Sequence, residues 1–488
     1  MSSPTKEPAE PPPEHEPTTR AVNWQDFREH LATADKDGSR RWIYAKKPAG
    51  RWTDRRTWVA WLLIGVMFAG PFIKIGGNPL LMMNIIDRKF SILGKIFWPE
   101  DTIIFAVAML TFFAGIMIFT TAFGRLWCGW TCPQTVMMEM VFRKLEYLIE
   151  GDANEQRALD AAPWHARKVF KKGLKHAIFF GLSFLIGNTL LSYIIGSDQL
   201  WQIITDDPRK HVVGLVFMML FTLIFYAIFA RFREQACTFI CPYGRFQSAL
   251  LDENTMIVAY DHKRGETRAP WKRDQPIELR QASGQGDCVN CHQCVAVCPT
   301  GIDIRNGVQM ECVNCTACID ACDTIMDKIG RPRGLIRYAS LNGIESGSPL
   351  KITARMKLYA GVLAGLVLLF LFLVFTRSEV ETLFLRARGS LFQQTAAGNI
   401  SNLYTVKVVN KSNRDLPIQF RVDNLDCKLS IMGARVFMAP KAELVETSVL
   451  VEIEPSKLTG KTTALEIGVY SNGRKLESLK TAFVGPRP

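Results

Sequence analysis

Long apolar segments alternate with polar, often basic, connections along most of the chain. Five of these segments approach the roughly 20 residues that an α-helix needs to cross the hydrocarbon core of a bilayer. They lie near 58–75, 102–122, 176–195, 212–230 and 358–376. The pattern therefore predicts a multi-pass α-helical membrane protein with about five spans, surrounded by lipid.

After residue 377, apolar and polar residues largely alternate, which is the period of a half-buried β-strand. Strands are predicted at 403–409, 418–422, 446–451 and 464–470, and turn-forming residues separate such runs. About seven short strands in roughly 95 residues indicate an antiparallel β-sandwich of immunoglobulin-like type. Cys427 within this region is most simply a small buried hydrophobe, with a copper contact as the alternative.

The N-terminal region differs from both patterns. Residues 1–20 are rich in Pro and Glu and contain no apolar run, which predicts a disordered tail and not a secretory signal. Within 21–39, Trp24, Phe27 and Leu31 fit one face of a short helix. That helix would lie on the membrane or on another domain.

The charged residues predict how the spans are oriented. The chain has 59 Lys and Arg residues against 46 Asp and Glu, and the basic residues cluster before the first and third predicted spans. Because basic loops remain in the cytoplasm, the N-terminus, 123–175 and 231–357 are predicted to be cytoplasmic, and everything after 377 periplasmic. The loop at 76–101 fits less well, since it carries Arg88, Lys89 and Lys95 on the predicted outer side.

This arrangement predicts a membrane protein whose basic loops lie on the cytoplasmic side. The formal net charge of +13 also raises nucleic acid as a partner. The basic residues flank spans, however, and form no stripe interleaved with aromatic residues, so nucleic-acid binding is set aside.

Eight of the thirteen cysteines lie between residues 288 and 322, in two copies of C-x2-C-x2-C-x3-C. This is the run of bacterial two-cluster ferredoxins, in which the fourth cysteine of each copy ligates the other cluster. Three thiolates on a tight loop can each reach a different iron of one cubane. The predicted ligands are Cys288, Cys291, Cys294 and Cys322 for cluster one, and Cys312, Cys315, Cys318 and Cys298 for cluster two.

The alternative for these cysteines is zinc, which also uses Cys-x2-Cys pairs. The doubled order of eight cysteines, with Pro299 after the fourth, favours two [4Fe-4S] clusters. Cluster ligands must be free thiolates, which fits a reducing compartment. His292 lies inside the first loop, where it either tunes a cluster through a hydrogen bond or is a plain loop residue.

A second motif, C-x3-C-P, follows the second and fourth predicted spans, at Cys128–Cys132 and Cys237–Cys241. If a helix continued through each motif, its two cysteines would share one face, whereas the following proline suits a break or a new helix start. Spans one–two and three–four thus form two hairpins of an internal repeat. Should the hairpin ends meet, four thiolates would form a soft site for Cu(I), zinc or iron–sulfur chemistry. A redox-active dithiol, or interfacial cysteines without chemistry, are the other interpretations.

The chain is therefore divided into five regions. They are an N-terminal tail (1–39), a four-span membrane region (40–242), a ferredoxin-type α+β domain (243–350), a fifth span (351–377) and a β-sandwich (378–488).

Taken together, these features resemble the CcoG/FixG/RdxA family, the cytochrome c oxidase accessory proteins of bacteria. The resemblance covers nearly the whole chain after residue 40. It implies a cupric reductase that converts Cu(II) to Cu(I) during maturation of cbb-type cytochrome c oxidase, with copper and oxidase assembly factors as partners. It further implies that the eight ferredoxin cysteines ligate clusters and that the four C-x3-C-P cysteines act on copper or hold a further metal.

Two other functions stay open at this stage. Polyferredoxins of the NapH and NosR type share the C-x3-C-P pairs, so the chain is alternatively an electron-transfer subunit between quinol and a periplasmic reductase. A third possible function is that of a non-catalytic, redox-sensing assembly scaffold. The sequence leaves the electron donor unidentified. A homodimer is one of the oligomeric states that it allows.

Overall fold

The computed structural model describes residues 33, 39–75, 78–84, 89–92, 94–98, 101–271, 277–348, 352–387, 391–395, 398–432, 437–441 and 443–486. The predicted N-terminal tail and its short helix lie outside these residues, apart from Thr33 and Ser39. The chain divides into two compact units. Unit 1 comprises Met1–Thr57, Thr120–Lys172 and Phe232–Lys351, and unit 2 comprises Trp58–Phe119, Gly173–Arg231 and Ile352–Pro488.

Helices make up most of the chain before residue 376. In chain order, α1 to α16 are Arg51–Ala69, Thr102–Phe123, Leu126–Trp130, Pro133–Val136, Arg143–Ile149, Ala153–Ala161, Ala166–Ile195, Ser197–Thr205, Val212–Ala227, Pro242–Leu250, His262–Gly265, Ile277–Ala282, Gln293–Ala296, Ala317–Lys328, Leu341–Ser346 and Ala354–Phe375. Segments Met137–Phe142, Ile228–Phe232 and Ala236–Ile240 are π-helical, and Pro208–His211, Ile304–Asn306 and Pro455–Lys457 are 3-10 turns.

Four helical segments of the described chain are long and apolar enough to cross a membrane. They are Thr102–Phe123, Ala166–Ile195, Pro208–Phe232 and Ala354–Phe375. These helices contain the whole of predicted spans two to four, and all of predicted span five except its last residue, Thr376. Protein covers 39% of the apolar window of Ala166–Ile195 and at most 11% of the other three, and such low coverage is expected where lipid covers a helix. The prediction of a multi-pass α-helical membrane protein is confirmed.

The first predicted span, 58–75, was placed wrongly. The helix there, α1, runs from Arg51 to Ala69, and its first two turns carry four charged residues, so it does not qualify as a span by composition. It begins where Asp320 accepts hydrogen bonds from the N–H groups of Trp52 (3.1 Å) and Thr53 (2.7 Å), which caps its positive end. The helix ends at Ala69. The next residue is Gly70, where any side chain would overlap the Tyr193 hydroxyl.

The strands fall into small sheets and one large sandwich. In chain order, β1 to β16 are Lys74–Ile75, Asn78–Pro79, Leu81–Asn84, Lys89–Ile92, Lys95–Phe97, Ile257–Tyr260, Ile336–Ala339, Val380–Arg386, Gln393–Gln394, Ile400–Asn410, Leu416–Val422, Lys428–Ile431, Phe437–Ala439, Leu444–Ile453, Thr462–Ser471 and Arg474–Val484. One sandwich sheet has the order β12–β14–β10–β8, with β9 on β10, and the other has β13–β11–β15–β16.

The sandwich follows the alternation seen in the sequence. Tyr404, Val406 and Val408 of β10 face the core and are fully buried, while the residues between them are partly exposed. The Tyr404 hydroxyl donates to the Ala482 carbonyl of the opposite sheet at 3.0 Å. Cys427 is half-buried and packs against this core, as predicted for a small hydrophobe. The immunoglobulin-like sandwich is confirmed.

The ferredoxin-type region of unit 1 is a compact α+β element. Strands β6 and β7 pair antiparallel, with Ile257 opposite Ala339 and Tyr260 opposite Ile336. Helices α13 and α14 begin inside the two cysteine runs, at Gln293 and Ala317. Val258, Tyr260, Met326, Leu335 and Ile336 form its core, into which cysteines of both runs are packed.

A buried ion network in unit 2 joins Asp101, just before α2, to Arg377, just after α16, and to Lys411, just after β10. Both cations lie 2.6 Å from a different Asp101 oxygen, and Lys411 also lies 2.6 Å from Glu381. Burial acts to raise the pKa of Asp101, but the hydrogen bonds from Lys411 and Arg377 outweigh it and hold that pKa below its usual value. The network therefore fastens the sandwich to the helices that enter and leave the membrane region.

Replacing Asp101 by Asn is expected to lower the free energy of unfolding by about 3 kcal/mol, because two buried cations then lose their shared anion. Since the pKa of Asp101 is lowered by folding, its contribution is complete above the unfolded-state pKa and is lost as the pH falls through the folded-state pKa. Thermal unfolding at neutral and acidic pH measures both effects. The exposed pair Lys74–Asp198 supplies the control Asp198→Asn, for which a change below about 1 kcal/mol is expected. Equal losses in the two variants would refute a special role for Asp101.

Candidate functional site

The sequence Cys-Val-Asn-Cys occurs at 288–291 and again at 312–315, and the two copies have the same backbone shape. Asn290 and Asn314 have φ values of +52° and +55°, and His292 and Thr316 follow with +53° and +67°. Asn enters this left-handed region more readily than most residues, whereas Thr seldom does. The two runs are therefore matched tight loops, each of which leads into a short helix at its third cysteine.

The eight cysteines surround two cavities in unit 1. One cavity is lined by Cys298, Cys312, Cys315 and Cys318, and the other by Cys288, Cys291, Cys294 and Cys322, with Cys294 reaching both. In each set, three cysteines come from one run and the fourth from the other. This grouping agrees with the exchange of fourth ligands expected from the sequence, although the ligand assignment itself stays a prediction.

The charges and burial of these thiols fit a cluster ligand set. Burial raises the pKa of Cys312 to about 12, that of Cys315 to about 11 and that of Cys294 to about 12. Burial is also the largest cause that raises the pKa of Cys322, and the neighbouring thiols of Cys294, Cys288 and Cys291 raise it further. Thiols with such pKa values are protonated at neutral pH, so they become thiolates only when a bound cation supplies the compensating charge.

The spacing suits a cluster more than a single ion. Among the described residues, no group of three His, Cys, Asp or Glu side chains is close enough together to hold one metal ion. A cubane keeps its four thiolates farther apart than a single tetrahedral ion does, because each thiolate binds a different iron. All thirteen cysteines are free, as cluster ligation requires.

A buried arginine at cluster one was not predicted from the sequence. Arg305 is 5% exposed, and its guanidinium donates to Asn290 Oδ1 at 2.6 Å and contacts His292 Nδ1 at 2.9 Å. Asp303 pairs with it at 2.6 Å. Arg305 thus holds the first loop in its left-handed conformation and places a positive charge beside Cys288 and Cys294. His292 also lines the cavity of cluster one, and its proposed tuning of the cluster stays a prediction.

Replacing Arg305 by Gln is expected to lower the reduction potential of cluster one by roughly 60 mV, a tenfold change in a one-electron equilibrium. A buried cation stabilises the reduced, more negative state of a cluster. Redox titration followed by electron paramagnetic resonance measures the potential. The control is Arg333→Gln, since the Arg333 side chain is 50% exposed and pairs with Asp327. An unchanged potential in Arg305→Gln, with full iron content, would contradict this role.

The two C-x3-C-P motifs fold alike. A helix does not continue through either motif: α3 ends at Trp130, and Cys132 and Cys241 have extended backbones directly before Pro133 and Pro242, which begin α4 and α10. In both copies the N–H of the second cysteine donates at 2.9 Å to the carbonyl of the residue before the first cysteine. The proline-led new helix is thus the correct expectation, and helical i, i+4 geometry the wrong one.

The motifs meet within unit 1 and contact each other reciprocally. The Cys128 thiol donates to Gln247 Oε1 at 3.2 Å, on the helix that follows the second motif. Thr135, on the helix that follows the first motif, hydrogen-bonds to Cys237. Arg125 Nη2 donates to the Gly244 carbonyl at 2.5 Å and joins the copies again.

Burial raises the pKa of Cys128 to about 11 and that of Cys237 to about 12. For Cys237 the next largest effects come from Cys132, Cys128 and Cys241, which act as neighbouring negative charges. Cys132 and Cys241 also raise the pKa of Cys128, so both second cysteines act on both first cysteines. No three of these thiols lie close enough together in the structure to hold one ion. A soft cation would therefore have to draw them together, and it would then relieve that repulsion and favour the thiolate forms.

The first motif lies directly against the loop of cluster two. Cys128 packs on the apolar group formed by Val297, Val313, Cys315 and Ala317. At Gly129 a Cβ would overlap the carbonyl oxygens of Val313 and Asn314, so only glycine allows this approach. The loop that contains Cys312 and Cys315, and not the loop that contains Cys288 and Cys291, is therefore the one next to Cys128.

Aromatic side chains pack around this contact. Trp130 Nε1 donates to the Tyr338 hydroxyl at 3.0 Å, and that hydroxyl donates to the Asn314 carbonyl at 3.2 Å. Trp52 lies edge-on to both rings, with centroid distances of 6.1 Å and 5.4 Å. These contacts hold the first motif against the second cluster loop.

Comparison with known proteins agrees with this architecture. A family described as "4Fe-4S dicluster domain" matches residues 232–341, one described as "4Fe-4S binding domain" matches 105–150, and one described as "IG-like fold at C-terminal of FixG" matches 370–486. Protein RdxA of Cereibacter sphaeroides is 33% identical over 469 residues, which are 91% of this chain and 97% of that protein. Nitrogen fixation protein FixG of Rhizobium meliloti is 31% identical over 492 residues, 91% of each chain. Protein RdxB of Cereibacter sphaeroides is 31% identical over 427 residues, 84% of this chain and 88% of that protein.

Four apolar helices, two cysteine-lined cavities and the matching 4Fe-4S domains define a membrane-bound iron–sulfur redox protein. Because its similarity to RdxA and FixG extends over nine-tenths of its length, the chain belongs to the FixG/RdxA family. The iron–sulfur part of the expected chemistry is thereby established.

Proposed function

We propose that this protein reduces Cu(II) to Cu(I) at Cys128, Cys132, Cys237 and Cys241, and that it thereby supports assembly of cbb-type cytochrome c oxidase. The observation that carries the proposal is the packing of Cys128 against the apolar group that contains Cys315. A thiol site for a soft ion thus adjoins a cluster ligand. Thiolates select Cu(I) over harder ions, which suits a site whose product is Cu(I).

In this reaction the role of the four cysteines is to bind and position the copper ion. A [4Fe-4S] cluster, when bound, carries one electron at a time. Cu(II) gains one electron and becomes Cu(I), while the thiols lose protons as they bind the ion. Gln247 accepts the hydrogen bond of the Cys128 thiol, and Gly129 keeps the motif in contact with the second loop. Arg56 and Arg125 are the positive charges that act on Cys315 and Cys128, respectively.

We also propose that unit 1 is cytoplasmic and that the sandwich is periplasmic, in the bacterial inner membrane. Two observations support this orientation. Basic residues precede α1 and lie in the first turns of α7. In addition, unit 1 gathers the segments that the charge pattern predicts to be cytoplasmic, namely those ending near 57, 172 and 351. Since the segments before 57 and after 120 then lie on the same side, the proposal also requires the apolar part of α1, from Trp58 onward, to cross the membrane before α2 does. An electron donor on that side, still to be identified, and oxidase assembly factors would then be its partners.

The test compares two electron acceptors. Purified full-length protein is reduced chemically, freed of excess reductant, and mixed anaerobically with Cu(II) and a Cu(I)-specific chelator, or with a soluble quinone. We expect Cu(I) to form as the iron–sulfur absorbance returns to its oxidised value. Oxidation by quinone but not by Cu(II) would replace this proposal with quinol-linked electron transfer. Failure of both acceptors would leave the scaffold function.

A further inference from the structure

A larger cavity lies in unit 1, apart from the two lined by cluster cysteines. Its walls come from Lys47 and Pro48, in the segment leading into α1, from Arg56 on α1 itself, and from the segment that contains Glu139, Lys144 and Leu148. Its volume is about 400 Å³, within the range of roughly 300–1,000 Å³ that small-molecule sites occupy. Lys47 and Leu148 are exposed, so the cavity opens to the surroundings.

The charges around this cavity are unbalanced. Lys47, Arg56 and Lys144 face it with one carboxylate, that of Glu139, which lies 3.4 Å from the buried Arg143. The hydrogen bond found for the Lys144 ammonium goes to a neutral group, the Thr57 hydroxyl, at 3.2 Å. After burial, the positive charges of Arg56 and Lys47 are the largest causes that lower the pKa of Lys144. The carboxylate of Asp54 acts on Lys144 in the opposite direction and is the smallest of these effects. The three cations thus repel one another around a space that a further anion would neutralise.

Arg56 adds an observation of a different kind. It is 4% exposed, and its Nε donates to the Gly129 carbonyl at 2.6 Å. Its Nη2 is buried and has no hydrogen-bond partner in the described part of the chain. A buried guanidinium N–H without an acceptor is destabilising, so an acceptor group of a ligand bound in the cavity would stabilise Arg56.

We propose that this cavity binds a phosphate group, held by Arg56, Lys144 and Lys47. The guanidinium fork and the two ammonium groups match the several oxygens and the multiple negative charge of a phosphate. The phosphate belongs either to an anionic phospholipid, for which Pro48 and Leu148 supply apolar wall, or to a soluble phosphorylated molecule. Arg56 and Glu139 are also charged neighbours of Cys315, so the bound anion lies beside cluster two.

The experiment uses the delipidated, cluster-containing full-length protein. Binding of inorganic pyrophosphate is measured by calorimetry in neutral detergent. Binding of phosphatidylglycerol is measured in nanodiscs, against nanodiscs of phosphatidylcholine alone. Saturable pyrophosphate binding identifies a soluble ligand, and enrichment of phosphatidylglycerol alone identifies a lipid headgroup. Either result supports the proposal, and binding of neither probe overturns it.

Variants localise the site. Lys144→Ala is expected to weaken binding about tenfold or more, because a charge-assisted hydrogen bond is lost, whereas Lys144→Arg should restore most of it. Lys47→Ala, at an exposed position, should weaken binding without disturbing the fold. The control Lys328→Ala removes an exposed lysine of unit 1 outside the cavity and should bind like the wild type. Wild-type affinity in both Lys144→Ala and Lys47→Ala would overturn the proposal, whatever the probe.

Discussion

Replacing Cys315 by Ala is expected to remove about half of the iron and acid-labile sulfide from the purified protein, because one of two cubanes loses a thiolate that no neighbour can replace. Cys315 is fully buried beside Cys298, Cys312 and Cys318, and its loss leaves the other cavity with its four cysteines intact. Iron and sulfide assays give the loss directly. Cu(II) reduction should fall with it, since Cys315 belongs to the cluster next to Cys128.

The same assay can test the exchange of fourth ligands. Cys298→Ala should leave the paramagnetic signal that Cys315→Ala leaves, because both variants disturb cluster two. Cys322→Ala should instead match Cys291→Ala. Cys427→Ala, in the sandwich, should keep all of the iron. If Cys298→Ala matched Cys291→Ala, each run would hold its own cluster and the exchange would be refuted.

The two matched cysteine loops could be predicted because they depend on local spacing, whereas the assignment of ligands to clusters stays a prediction. Two-residue intervals on a tight loop allow few arrangements, and the repeated Cys-Val-Asn-Cys has one backbone shape in both copies. Spans two to five and the sandwich could also be predicted from local sequence, because apolar runs and period-two alternation directly indicate which side chains leave water. These features needed no knowledge of which distant segments meet.

The first span is predicted too far along the chain because its apolar run continues beyond the point where the helix ends. The apolar residues from Trp58 onward continue past Gly70-Pro71, and the prediction extended the helix accordingly. In the structure the helix stops at Ala69, and it gains its length instead at the charged end, where Asp320 caps it. That cap comes from a residue far along the chain, which hydropathy cannot reveal.

The environment of the site was also beyond the sequence pattern. Arg56 reaches Gly129, and Cys128 reaches the loop at Val313, only through long-range packing. Gly129 carried a signal in retrospect, because the copy at Cys237 has Thr238 in its place. The asymmetry indicates that only the first motif must approach another backbone closely. It thereby points to Cys128 as the cysteine through which the motifs communicate with cluster two.

Replacing Cys128, Cys132, Cys237 and Cys241 together by Ser is therefore expected to lower the rate of Cu(II) reduction by on the order of 100-fold, since hard hydroxyl oxygens bind Cu(I) poorly. The iron content should stay at the wild-type value, because neither cluster cavity is lined by these four residues. Anaerobic stopped-flow measurement of Cu(I) formation from the reduced protein gives the rate, and Cys427→Ser serves as the control.

The single variant Cys128→Ser makes the prediction sharper. Cys128 packs on the group that contains Cys315, whereas Cys237 hydrogen-bonds to Thr135 at the other side of the repeat. If electrons leave cluster two through the Cys128 contact, Cys128→Ser should slow reduction more than Cys237→Ser does, while both weaken Cu(I) retention alike. A wild-type rate in the fourfold variant would end the assignment of copper chemistry to these cysteines. Equal slowing by the two single variants would retain the site but remove the route through Cys128.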